Sequence, residues 1–179
     1  MPIIRPDRPR PTAGVPDGDG PVRLLVGVGD LKVSDDPRAM IVTPALGSCI
    51  AVVVHDPVRA IGGMLHYMLP HSSTNREKAE KNPAMFADTG VPLLFEKMYA
   101  LGAEKRRIVV TVAGGAKLNG MPVSQEIGKR NYVILRKMFS KNGIRIDAED
   151  VGGTRSRSVK LFVGTGRVVV TTSGVDVEW

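Results

Sequence analysis

The sequence predicts an α+β fold, a sandwich of mixed and antiparallel strands carrying two main helices. Three observations lead there. Runs rich in β-branched residues recur between turn signals, among them C-I-A-V-V-V-H at 49–55, V-V-T-V-A at 109–113 and R-V-V-V-T-T at 167–172. Only two segments combine helical periodicity with start and stop signals. The order is strands, helix, strand, helix, strands, without the regular alternation of a doubly wound sheet.

The elements follow in chain order. Residues 1–20 alternate proline, glycine and charge, cannot bury enough surface to repay ordering, and read as a mobile tail. Residues 21–179 suit one domain. V-R-L-L-V-G-V-G-D-L-K-V-S from Val22 is a strand or strand pair, broken by Gly27 and Gly29, and R-A-M-I-V-T (38–43) is a short strand. C-I-A-V-V-V-H is a stronger one, D-P-V-R (56–59) a type I turn with Pro57 second, and I-G-G-M-L-H-Y-M-L (61–69) the return strand. The polar stretch 71–88 reads as a surface loop.

A helix over 91–101 follows, with Asp88 or Thr89 as its cap and Pro92 in its first turn; Leu94, Met98 and Leu101 share a face and Gly102 ends it. R-R-I-V-V-T-V-A-G-G-A (106–116) is a buried strand running into a glycine turn. The second helix starts at Ser124 as cap, lines one face with Ile127, Ile134 and Met138, and stops at Gly143. Three strands close the chain at 144–151, 159–164 and 167–173, the last two joined by Gly164, Thr165 and Gly166.

Composition excludes several functions. Twenty-five basic against eighteen acidic residues give +7 at pH 7, but Lys and Arg are scattered and aromatics amount to only 4%, so no surface for stacking nucleic-acid bases emerges. The excess favours an acidic protein partner. A single cysteine rules out an intrachain disulfide framework and a Cys-rich zinc site, and suits a reducing, cytoplasmic compartment. No apolar stretch approaches the roughly 20 residues of a membrane span, and the N-terminus lacks the apolar segment of a signal peptide. No membrane insertion is expected. G-V-G-D (27–30) lacks a third fingerprint glycine, no Walker lysine follows a glycine loop, and the three histidines show no metal-ligand spacing. Neither metal nor cofactor is expected.

The chemistry concentrates at L-G-S-C-I-A-V-V-V-H-D-P-V-R-A-I-G-G-M-L-H (46–66), which holds the only cysteine. A thiol becomes a useful nucleophile when a neighbouring imidazole takes its proton. With the turn centred on Pro57 and Val58, His55 opposes Ala60 and, stepping outward, Cys49 opposes His66 on the same face. Gly47 and Ser48 leave the backbone open to a carbonyl substrate, and the N–H groups of Ser48 and Cys49 are placed to hold an oxyanion. Thr43 is in reach to orient the His66 ring. Pattern alone leaves a second reading open, in which Cys49 is an inert core residue. His55, at a turn edge, and His71, in a polar loop, read as surface histidines.

These residues resemble the CheD chemoreceptor glutamine deamidases of bacterial and archaeal chemotaxis. The resemblance rests on T-P-A-L-G-S-C-I-A-V-V-V-H-D-P (43–57), I-G-G-M-L-H-Y-M-L-P (61–70), G-G-A-K-L (114–118), I-G-K-R-N (127–131), G-I-R-I-D-A-E-D-V-G-G (143–153) and G-T-G-R-V (164–168). It implies Cys49 as nucleophile, His66 as general base and Thr43 as the third member of a triad, in a sandwich similar to that of cytotoxic necrotising factor-type cysteine deamidases. It further implies that the chain deamidates glutamine to glutamate on cytoplasmic domains of methyl-accepting chemotaxis receptors, through a thioester and with release of ammonia. The alternative it leaves is a binding module that regulates the chemotaxis phosphatase CheC. Ser156 before Arg157 departs from the glycine expected there.

Overall fold

A computed structural model describes residues 20–117 and 126–179. Apart from Gly20, the expected tail lies outside the described residues, as does the Ser124 cap. The strands are β1 (Val22–Leu25), β2 (Asp30–Ser34), β3 (Ala39–Leu46), β4 (Ile50–Asp56), β5 (Ile61–Tyr67), β6 (Val109–Gly114), β7 (Ala148–Val151), β8 (Arg157–Phe162), β9 (Val168–Thr172) and β10 (Val175–Glu178). The helices are α1 (Arg76–Lys81), α2 (Ala87–Ala100) and α3 (Ile127–Lys141).

The strands form two five-stranded mixed sheets, ordered β1-β3-β8-β9-β10 and β2-β5-β4-β6-β7. Each contains one parallel pair, β1 with β3 and β6 with β7. The fold is therefore the α+β sandwich that the sequence predicts. The chain switches sheet at every step from β1 to β4, so β3 and β4 face each other across the core although only three residues separate them.

Two hydrophobic layers hold this together. Between the sheets lie Ile41, Leu46, Ala51, Val53, Met64, Val159, Leu161 and Val170. On the other side of the second sheet, Ile50, Val52, Val54, Leu65 and Tyr67 pack against Leu94, Met98, Leu135 and Phe139 of the two long helices. β4 is buried along both faces. That explains its unbroken apolar run in place of an alternating one.

Several sequence expectations need correction. In the β4–β5 hairpin, His55 pairs with Gly62 and Ala51 with His66, so Cys49 does not oppose His66 directly. The loop spans four residues, 57–60, because the buried Asp56 carboxylate accepts N–H groups from Val58 and Arg59 while Ala60 turns left-handed at φ 50°. The slip is two residues, which preserves the face of every side chain.

α2 starts at Ala87, not 91, because Asp88 is used in tertiary contact, accepting the Ser72 N–H and hydroxyl, and does not cap the helix. α3 buries Gly128, Asn131, Leu135 and Phe139, a face rotated from the expected Ile127, Ile134 and Met138. β10 was not foreseen. Its residues are largely exposed, and it is held by edge pairing to β9 through a two-residue turn with Ser173 at φ 52° and Gly174 at φ 79°.

Candidate active site

The segment 47–49 is where the chain crosses from the first sheet to the second. A bulge makes the crossing possible: β3 pairs with β8 in one register up to Thr43 and in a shifted one at Leu46, with Ala45 left-handed at φ 57° between them. Pro44 and Ala45 are exposed, and Gly47, Ser48 and Cys49 are partly so. Thr43 behind them is fully buried, and His66 is 1% exposed. The site is thus a half-open mouth over a dry floor.

Cys49 packs against the layer between the sheets, with Ala51 and Met64, whereas Ile50 turns to the helices. His66 pairs with Ala51, so its side chain faces the same inter-sheet space. Thr43 comes from the opposite sheet. Its hydroxyl lies 2.8 Å from His66 Nδ1 and 2.7 Å from the Val26 carbonyl oxygen.

This pair of contacts assigns the imidazole protons. A carbonyl only accepts, so the single hydroxyl proton of Thr43 is given to Val26 and the hydroxyl oxygen must accept from His66 Nδ1–H. Nε2 then carries the lone pair. Nε2 is buried and makes no hydrogen bond, including none to the Cys49 thiol. Burial lowers the His66 pKa from 6.5 to about 4, so the ring is neutral at pH 7. Burial likewise pushes the Cys49 thiol up, and its own backbone N–H offsets only part of this. The resting groups are a neutral thiol and a neutral imidazole that face the same inter-sheet space.

The three carbonyls of 47–49 all point to one side. Gly47 O accepts Ala116 N–H and Cys49 O accepts Gly115 N–H, each at 2.8 Å. Ser48 O accepts Asn131 Nδ2 at 3.1 Å. In a trans peptide the N–H of the next residue points opposite to the carbonyl. The N–H groups of Ser48 and Cys49 therefore turn away from α3 and the β6 loop. Gly114 leaves the room this approach needs: at φ 110°, a Cβ there would meet the Cys49 carbonyl oxygen.

Thr43, His66, Cys49, Ser48 and Gly47 are thus gathered in one region. His55 and His71 are not. His55 is buried at the far end of β4, its Nε2 2.8 Å from Val163 O, which corrects its reading as a surface residue. His71 is half-exposed, 3.9 Å from Asp88. Among the described residues no group of three His, Cys, Asp or Glu side chains could hold a metal ion. Likewise no helix there is long and apolar enough to cross a membrane.

Sequence reasoning missed Asn131. It is fully buried on α3, and the same amide also donates to Met68 O at 2.8 Å, while its backbone carbonyl accepts from the Tyr67 hydroxyl. One signal was available, since Asn131 is a polar residue four positions from both Ile127 and Leu135.

Residues 68–172 match a family model described as CheD chemotactic sensory transduction. A probable chemoreceptor glutamine deamidase CheD 1 from Syntrophus aciditrophicus is 48% identical over 151 residues, covering 84% of this chain and 94% of that protein. A probable chemoreceptor glutamine deamidase CheD 2 from Anaeromyxobacter dehalogenans is 50% identical over 147 residues, covering 82% and 92%. A probable chemoreceptor glutamine deamidase CheD from Solibacter usitatus is 46% identical over 156 residues, covering 87% and 92%.

Proposed function

The chain belongs to the CheD chemotactic sensory transduction family, and from that premise we propose that it deamidates glutamine side chains of chemoreceptors to glutamate. The observation that carries the mechanism is the hydrogen-bond chain from Val26 O through Thr43 to His66, which leaves Nε2 as a free base beside the cysteine-bearing loop.

His66 Nε2 takes the Cys49 thiol proton as substrate closes the loose resting geometry. The thiolate attacks the carboxamide carbon, and the N–H groups of Ser48 and Cys49 receive the oxyanion. The C–N bond then breaks, with Nε2 returning its proton to the departing nitrogen as ammonia. The thioester left on Cys49 is attacked by water, whose proton goes to Nε2. As the C–S bond breaks, Nε2 returns that proton to sulfur and restores the thiol, and the carboxylic acid released ionises to a carboxylate in solvent. Thr43 keeps the ring in the required tautomer throughout. Receptor cytoplasmic domains are the substrate this reading implies, and the reaction draws on no metal or cofactor.

Mass spectrometry of a receptor cytoplasmic fragment tests this. Wild-type protein is expected to add about 1 Da per modified glutamine, and Cys49→Ala to add none while keeping its fold, since no neighbouring side chain supplies a thiol. Near-normal turnover by Cys49→Ala would reject Cys49 as the nucleophile.

A further inference from the structure

Asn131 sits 65 residues beyond His66 in the chain, yet its side-chain amide grips the chain just before β4 and just after β5. One N–H goes to Ser48 O at 3.1 Å, the residue before Cys49, and the other to Met68 O at 2.8 Å, two residues after His66. Its backbone carbonyl accepts from the Tyr67 hydroxyl at 2.8 Å, so α3 is seated on β5 at this point.

Packing does not require an amide here. Gly128, Leu135 and Phe139 fill the rest of the buried face of α3, and an aliphatic side chain would continue it. The amide brings a penalty as well, because Asn131 Oδ1 is buried without a partner. What an amide provides and an aliphatic group cannot is the pair of N–H donors. Both are spent on carbonyls that flank the thiol and the imidazole.

The Ser48 carbonyl and the Cys49 N–H belong to one trans peptide, so holding the first toward α3 aims the second to the opposite side. We infer that Asn131 is a positioning residue, which sets the Cys49 N–H as an oxyanion donor by fixing the Ser48–Cys49 peptide plane. This rests on the deamidase reading above and adds a requirement that no part of the triad supplies. Without the clamp the peptide can tilt, and the donor no longer meets the charge that develops on the carboxamide oxygen.

Two reactions at the same sulfur separate this role from a general loosening of the site. Deamidation forms an oxyanion. Alkylation by iodoacetamide does not: the thiolate forms a C–S bond at a saturated carbon as iodide leaves. Cys49 is the only cysteine, so alkylation reports on it alone.

The variants are Asn131→Ala and the near-isosteric Asn131→Leu, which keeps the buried volume without donors if the alanine protein fails to fold. Each is assayed as the full chain for ammonia release from a glutamine-containing receptor fragment, for iodoacetamide alkylation and for melting temperature. Leu135→Ala, on the same buried face but with no polar group to bond either carbonyl, serves as the destabilised control.

The expected result is a kcat lowered about 10- to 100-fold with KM and alkylation rate within about twofold of wild type, while Leu135→Ala keeps its kcat. An unchanged kcat in a folded Asn131 variant overturns the inference. So does a parallel fall in kcat and alkylation, which would mean general disorder of the loop. A wild-type protein that leaves glutamine unmodified overturns the deamidase reading itself, an active Cys49→Ala overturns its choice of nucleophile, and either removes the inference with it.

Discussion

His66 combines two demands that usually conflict. In the proposed mechanism it must lie in the buried inter-sheet space that Cys49 also faces, and it must stay neutral to accept a proton. Burial serves both, since it holds the pKa near 4, below the ordinary 6.5. Because the folded value is the lower one, folding favours the neutral ring. Its contribution is complete above about pH 6.5 and is lost as pH falls towards 4, amounting to about 3 kcal/mol at most. His55 is shifted in the same direction, also chiefly by burial, so it too gives up stability as pH falls below its ordinary value. Comparing urea unfolding of wild type and His66→Asn at pH 7 and pH 4.5 isolates the His66 share. The wild type is expected to lose more stability across that interval, by up to about 3 kcal/mol. Equal losses would show that His66 does not resist protonation in the folded chain.

At the scale of elements, the meeting of β6 with β4 decides where the cysteine backbone can lie. Gly114→Ala faces both a left-handed φ of 110° and a clash with the Cys49 carbonyl oxygen, and main chain cannot swing aside as a flexible side chain would. A loss of about 2–5 kcal/mol in urea unfolding is expected, with deamidation impaired. Gly174→Ala has the same backbone sign, φ 79°, but open space around it, so it should cost about 1–2 kcal/mol and leave activity intact. Similar costs at the two sites would mean that the β6 contact yields. The strands β3, β4, β6 and β9 were legible in advance because β-branched runs describe a buried pleated surface. β10 was not, since V-D-V-E buries almost nothing and exists through its neighbour's free edge. The start of α2 was obscured because Asp88, a good cap by type, bonds to Ser72 instead.

For the whole molecule, the +7 charge bears on how a receptor is met. If the basic excess steers an acidic receptor surface, deamidation of a receptor fragment at low substrate should fall as salt rises. A small neutral glutamine peptide should respond much less. Salt acting on the thiolate itself would slow both alike, so initial rates for the two substrates over a salt series decide the matter. Equal sensitivity would assign the charge to solubility or to another partner.

The sequence by itself determined the sandwich class, a hairpin turning at D-P-V-R (56–59), and the shared face of Cys49 and His66. That face follows from alternation along a strand, which is local backbone geometry and survives a two-residue slip in register. Tertiary structure decided the rest. The register itself depended on Asp56 gathering N–H groups across the turn. The Thr43–His66 bond depended on β3 and β5 lying in different sheets that close on one another, a pairing no local pattern encodes. Asn131 became visible only when α3 docked its buried face over the ends of two strands, because a polar residue in an apolar stripe reveals its partners only once they are packed against it.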